Sequence, residues 1–273
     1  MSSSLPKRQI KLIKALKESK NAREKNHCFV AEGLRSVEEI VKTDYTIEFT
    51  VVSEKFANKD CDRVRKLIEK LQNFKLYMIS EGIYDTISDT VTPQGIMAVV
   101  RMKDYDLMEY ADNNFLFVAL DRIKDPGNMG TIIRTADAAG VNAVIAGKGC
   151  VDAYNPKVIR STMGSIFHLP VIQTDDLIMT LKELKRRGGR IVTSHLKAKK
   201  YYYDVNLKVS TVLVMGKEDE GVSDEIIDIS DEMVKIPMPG LAESLNVSIA
   251  NGIILFEAVK QRMNKIENMP FCL

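Results

Sequence analysis

The chain has 273 residues, of which 45% are hydrophobic and 28% charged, with a formal net charge of +2. That length is comfortable for two domains, and the composition is that of a soluble globular protein. No stretch approaches the roughly 20 uninterrupted apolar residues of a membrane helix. Lysines run through the N-terminal segment, where a signal peptide would carry an apolar core, so a cytoplasmic location is expected. Cys28, Cys61, Cys150 and Cys272 are dispersed, as are His27, His168 and His195, which argues against both a disulfide framework and a metal site.

The small net charge hides segregation along the chain. Residues 1–26 hold eight basic residues against Glu18 and Glu24, residues 182–200 hold eight against Glu183 alone, and residues 218–232 hold eight acids and no base. Basic clusters attract phosphate backbones, although a solvated helix face explains either basic block equally well.

In chain order, a basic amphipathic helix with Ile10, Ile13 and Leu16 on one side opens the chain. Strand signals at FVAEG, IEFTVVS, LYMIS and GIMAVVRM then alternate with helices, which predicts a small α/β unit. The acidic segment KDYDLMEYADNN sets a domain boundary near Asp106, giving domains over 1–106 and 112–273. Beyond it, FLFVALD, VNAVIAG, HLPVI, RIVTSHL, TVLVMG and MVKIPM read as buried strands separated by helices, which predicts a mostly parallel sheet covered on both faces. Thr174 and Ser223, each followed by two acids, read as helix N-caps, and Ser244 reads as the N-cap of a long final helix. Ligands of such sheets collect beyond the C-terminal strand ends.

Three loops start at such ends. In ALDRIKDPGNMGTIIRTADAAG, Gly127 and Gly130 allow close backbone approach, Asn128 can stitch the loop, and Arg134 lies further along the helix that begins at about Asn128. Alone, this reads equally well as a tight turn with a surface arginine, and it lacks both GxGxxG and a P-loop. In VLVMGKEDEGVSDEI, Gly216 and Gly221 flank Glu218, a carboxylate held at the end of an apolar strand, whereas Asp219 and Glu220 read as solvated. In KIPMPGLAESLNVSIANG, prolines and a glycine force an irregular loop. Asn246 and Ser248, polar in an otherwise apolar first turn, are expected to face a site or an interface. Ile249, Ile253, Phe256 and Met263 fall near helical spacing, as core or interface residues.

Together and in this order, NxGxxxR, GxExxG and SLNVSxA resemble the three motifs of the SPOUT superfamily, specifically the SpoU/TrmH-type RNA ribose 2′-O-methyltransferases. The resemblance runs through residues 113–264. KNAREKNHCFVAEGLRSVEE and TPQGIMAVV extend it, more loosely, to the RNA substrate-binding domain that precedes the catalytic domain in many members. It implies a trefoil-knotted α/β domain with a mostly parallel sheet, rather than the Rossmann-like sheet that strand alternation alone suggests, and a homodimer whose subunits share each site. It implies that S-adenosyl-L-methionine is held near Gly216, Ile236, Met238 and Leu245, with residues 193–196 close by and His195 acting only as loop backbone. It further implies a catalytic set of Arg134, Asn128, Glu218, Ser244 and Asn246. Arginine is almost always protonated, so Arg134 suits phosphate binding and oxyanion stabilisation better than general-base work. Many members have asparagine before the motif-two glutamate, where this chain has Lys217. The substrate class implied is RNA: ribosomal RNA of the large subunit first, transfer RNA as the rival, with a non-catalytic RNA-binding scaffold as the reading from a different class.

Overall fold

The computed structural model describes residues 5–263, so Cys272 and the last residue of the motif match, Asn264, lie outside the described residues. The chain divides into two compact units, Met1–Asp104 with Asp152–His168, and Tyr105–Val151 with Leu169–Leu273. Among the described residues no helix is long and apolar enough to cross a membrane.

The first unit contains α1 (Lys7–Glu18), α2 (Lys20–Asn26), β1 (Cys28–Glu32), α3 (Leu34–Ile40), β2 (Ile47–Ser53), α4 (Glu54–Ala57), α5 (Asp62–Leu71), β3 (Leu76–Ile79), α6 (Glu81–Asp85) and β4 (Ile96–Arg101). Its sheet runs β1-β4-β2-β3, with β4 antiparallel to both neighbours and β2 parallel to β3. Every residue of β1 is buried, because α1 covers one face through Ile13 and Leu16. Phe29 points to the other face, against Tyr154 and Phe167 of the inserted 152–168 segment.

Two cations of the N-terminal basic block are structural, a role that neither a solvated face nor a phosphate-binding cluster describes. Lys17 is buried and its Nζ donates to Glu32 Oε2 at 2.6 Å and to the Ile87 carbonyl at 2.7 Å, and it also pairs with Asp89. Arg23, 3% exposed, donates to Asp152 at 2.7 Å and to the Leu16 carbonyl at 2.7 Å.

The second unit supplies β5 (Leu116–Leu120), α7 (Pro126–Ala138), β6 (Ala143–Gly147), β7 (Val171–Thr174), α9 (Leu177–Arg186), β8 (Arg190–Ser194), β9 (Lys200–Tyr201), β10 (Thr211–Met215), α10 (Asp224–Ile229), β11 (Glu232–Lys235) and α11 (Val247–Arg262); α8 (Pro156–Thr162) lies in the inserted segment. The seven strands run β7-β6-β5-β10-β8-β11-β9 and every pairing is parallel. The sheet is thus wholly rather than mostly parallel. Later strands insert beside earlier ones at β10 and β11, the interleaving expected of the knotted fold that the motifs imply. The central strands β5, β6 and β10 are buried at every position, which accounts for their continuous apolar runs.

Two caps differ from the expected ones. Asp176, not Thr174, caps α9 by accepting from the Met179 N–H at 2.9 Å, while Thr174 Oγ1 bonds Thr180. Asn246, not Ser244, caps α11. In both cases a side-chain carbonyl or carboxylate two residues further on satisfies the first-turn N–H group, and the hydroxyl remains outside the helix. The basic and acidic blocks pair with each other: Lys185 with Asp231, and Arg190 and Lys200 with Glu232.

Removing Lys17 leaves the buried Glu32 carboxylate without its cation, which in comparable sites costs about 3–5 kcal/mol. Lys17→Met is expected to lower the denaturant midpoint of unfolding by a corresponding amount, and Lys14→Met, on the exposed side of the same helix, to leave it nearly unchanged.

Candidate active site

The site is assembled where β10, β8 and β11 end. Gly216 follows β10 and is fully enclosed, and a Cβ built there would lie 2.2 Å from the Gly221 carbonyl carbon and from Val222 N. The loop from Lys217 therefore turns back directly over Gly216. It closes through the Gly221 N–H to the Lys217 carbonyl at 2.8 Å, with Gly221 at φ +74°. This close crossing is the physical reason for glycine at both positions.

The first motif is tied to this loop. Asp125 caps α7 by accepting from Asn128 N–H at 2.8 Å, and Pro126 occupies the first helical turn, so α7 starts two residues before the expected Asn128. Asn128 is thus fixed in orientation: its Nδ2 donates to Glu218 Oε1 at 2.6 Å and its Oδ1 accepts from Asn246 Nδ2 at 2.8 Å. Asn246 Oδ1 in turn accepts from Ser248 N–H at 2.9 Å and Ser248 Oγ at 2.6 Å. Ser248 is buried, and its N–H and hydroxyl both serve the helix cap.

A second clamp was not foreseen. Asp121, at the end of β5, is buried and accepts from the Ser223 N–H at 2.8 Å. Arg122, in the left-handed region at φ 58°, bonds Asp121 and Glu220. These contacts raise the Arg122 pKa above its ordinary value, chiefly through the hydrogen bond to Asp121. Lys217 sits beside Glu220 at 2.6 Å and Asp219 at 3.1 Å, whose carboxyls it holds below their usual range. The cation that replaces the usual asparagine is neutralised within its own loop, and Asp219 and Glu220 are structural partners rather than merely solvated acids.

Between these loops lies a cavity of about 380 Å3, within the ~300–1,000 Å3 typical of small-molecule sites. Gly216, Ile236, Met238 and Leu245 all line it, as do Glu218, Ser244 and the segment Ser194, His195 and Leu196; Thr193 is buried in the sheet instead. The His195 N–H donates to the Val234 carbonyl at 2.9 Å and its Nδ1 accepts from Lys197 N–H at 3.1 Å, so it shapes the loop. Lys235 also lines the cavity, although in the sequence it carries no signal beyond its place in a strand. Ser244 lies on the cavity wall, and among the described residues it has no bond to the asparagine network.

Arg134 stands apart. Six residues beyond Asn128, it lies about 9 Å further along α7 and is turned by roughly 120°. It is exposed, with no hydrogen bond or ion pair among the described residues. Neighbouring Thr135 faces Gly252 of α11, at 3.5 Å from a Cβ built there.

With this geometry established, comparison with known proteins identifies the architecture. Residues 115–256 match the SpoU rRNA Methylase family. The chain belongs to that family. Residues 7–98 match the MRM3-like substrate binding domain, as the sequence of the first unit implied. The 23S rRNA (guanosine(2553)-2'-O)-methyltransferase RlmP of Bacillus subtilis is 35% identical over 87% of this chain and 91% of its own length. Among solved structures, the SpoU methyltransferase AviRb of Streptomyces viridochromogenes, in complex with AdoMet, superposes with a TM-score of 0.83 at 28% identity, over 93% of this chain and 98% of that one. An AdoMet-bound rRNA methyltransferase from Sinorhizobium meliloti does so with a TM-score of 0.83 at 30% identity, over 97% and 98%. SpoU family membership makes the protein an RNA methyltransferase, as the order of its three motifs implied.

Gly216→Ala forces the motif-two loop off the cavity wall. Titration calorimetry should show S-adenosylmethionine affinity reduced at least about tenfold, equivalent to ~1.4 kcal/mol, with circular dichroism unchanged; undiminished affinity would mean that the loop is not part of the donor pocket.

Proposed function

We propose that this protein transfers the methyl group of S-adenosylmethionine to the ribose 2′-hydroxyl of a guanosine in 23S ribosomal RNA, in the cytoplasm and as a homodimer. The observation that carries the reading is the convergence of the second and third motif loops on one cavity, with Gly216, Ile236, Met238 and Leu245 on its wall and Asn128 tying the first motif to both through Glu218 and Asn246. The extensive match to the B. subtilis 23S rRNA enzyme, which spans the first unit as well, favours ribosomal over transfer RNA.

The cavity suits the donor. It is large enough, and its wall combines the apolar side chains of Ile236, Met238 and Leu245 with the loop that crosses Gly216. When bound, S-adenosylmethionine supplies an activated methyl group on a sulfonium centre. The protein's task is then to align the ribose and stabilise charge on its 2′-oxygen. Asn128, held from both sides, keeps Glu218 and Asn246 at the cavity rim as a fixed set of polar groups for the ribose. Arg134, a permanent cation, binds the adjoining phosphate and stabilises the 2′-oxyanion.

The position of Arg134 supports the homodimer. Ile249 and Phe256 of α11 and Met263 just beyond its end repeat every seven residues and are 53%, 50% and 37% exposed, an apolar seam left uncovered among the described residues. A second copy covering this seam by two-fold symmetry brings its own Arg134, on the helix that packs beside α11, toward the rim of this chain's cavity. The first unit, in this reading, carries the RNA substrate-binding role.

Methylation of ribosomal and transfer RNA from a strain lacking the gene tests the reading. Label from S-adenosylmethionine should enter 23S rRNA, at a guanosine revealed by primer-extension stops at low nucleotide concentration. Arg134→Ala should bind donor normally and transfer no methyl. Label only in transfer RNA, or full turnover by Arg134→Ala, would overturn it, and absence of donor binding by the wild type would favour the scaffold.

A further inference from the structure

Next to the donor cavity the surface carries an aromatic platform that the three motifs do not account for. At the sheet edge, β9 pairs with β11 so that Tyr201 lies opposite Lys235, whose Nζ stands 5.6 Å from the Tyr201 ring centroid. The chain then turns at once: Asp204 N–H donates to the Tyr201 carbonyl at 3.0 Å, and its carboxylate accepts from Tyr201 N–H at 3.2 Å. This turn folds Tyr203 back over Tyr201, with ring centroids 5.5 Å apart and planes inclined by 26°, and Tyr202 meets Tyr203 edge-on at 5.0 Å. Tyr201 and Tyr203 remain 37% and 46% exposed. The stack thus leaves a substantial part of two rings facing solvent, a surface that their mutual packing does not use.

The surroundings indicate what they face. A second, shallower cavity runs beside Tyr201, and Leu196, Lys235, Ile236 and Met238 line both it and the donor cavity. Tyr201 therefore borders a surface continuous with the donor cavity, and Tyr203, stacked on it, extends that surface away from the cavity. Lys197 and Lys199, exposed in the preceding turn, have no ion pair among the described residues, unlike most of their basic block, while Lys200 is paired with Glu232. The acids nearby are Asp204, engaged in the turn, Glu243 on the far wall, and Glu257 on the Tyr203 side, paired with Lys260.

Stacked aromatic faces interleaved with unpaired lysines are the chemistry that holds unpaired nucleotides, base on ring and phosphate on ammonium. We propose that Tyr201 and Tyr203, with Lys197, Lys199 and Lys235, form a stacking subsite for an unpaired base flanking the methylated nucleotide. The subsite rests on the methyltransferase reading and deepens it, by placing single-stranded rather than helical RNA at the catalytic edge.

The chain has no tryptophan, so Tyr201→Trp introduces a single fluorescent reporter that still stacks. The probe is a single-stranded RNA 12-mer of uridines and adenosines, together with the same backbone made abasic. The base-bearing strand should quench the tryptophan, and the abasic strand should not, at matched occupancy measured by anisotropy. Tyr203→Ala is expected to weaken 12-mer binding about 5- to 100-fold and to raise KM for 23S rRNA, while donor affinity stays within about twofold. Lys199→Gln is expected to lower the salt dependence of binding by about one counterion. Equal quenching by the abasic strand, or Tyr203→Ala binding the 12-mer as tightly as the wild type, would overturn the subsite while leaving methylation intact. Failure of the methyltransferase reading would instead appear as absent donor binding in the wild type.

Discussion

Two hydrogen bonds from one asparagine hold the site together. Asn128 donates to Glu218, 90 residues away, and accepts from Asn246, 118 residues away. An amide is suited to this because one group gives and the other takes, and Asn128 can be aimed only because Asp125 and Pro126 fix the helix start from which it projects. Both bonds lie at a partly exposed rim, so each contributes only about 1 kcal/mol; their consequence is geometric. The backbone beneath them is set by Gly216, over which the motif-two loop must cross, and by the Asp121–Arg122 clamp that pins the far end of that loop.

Much of this is legible in the sequence because the parallel sheet imposes it. Strands that are buried on both faces read as unbroken apolar runs, and their C-terminal ends mark where loops converge. That rule marked the loops after β10 and β11 as ligand-facing; which of their residues line the cavity, Gly216 from the one and Ile236, Met238 and Leu245 from the other, was implied by the motif resemblance. The wholly parallel pairing and the interleaving at β10 and β11 are different in kind. Pairing order depends on which strands meet in space, and alternation along the chain is compatible with a Rossmann-like order as well; only the motif resemblance chose between them.

What the sequence did not reveal depended on side chains choosing among near-equivalent partners. Ser244 and Asn246 are both good N-caps, and only the fold shows that the asparagine takes the role, leaving Ser244 on the cavity wall. Lys17 and Arg23 look like their neighbours in a basic run, yet they are buried, because Glu32 and Asp152 happen to lie opposite. Lys197 and Lys199 stand out in the sequence only as members of a basic block, and the tyrosines that follow carry no motif; their adjacency to the donor cavity is visible only in the fold. Arg134 presents the converse case: its type and motif position suggested the site, but the helix that carries it directs it away from the groups it was expected to join.

In the proposed homodimer, one chain builds the donor pocket and a second copy completes it with Arg134. A doubly tagged heterodimer, purified after co-expression of one Arg134→Ala chain and one Gly216→Ala chain, tests this directly by its rate of methyl transfer to 23S rRNA. At a donor concentration near the wild-type Kd, which leaves the Gly216→Ala pocket largely empty, one of the two sites is fully intact if each draws its arginine from the opposite subunit, and the heterodimer should have about half of the wild-type activity, while both homodimers have little or none. A heterodimer as inactive as its parents would show that Arg134 serves the pocket of its own chain and would contradict the account.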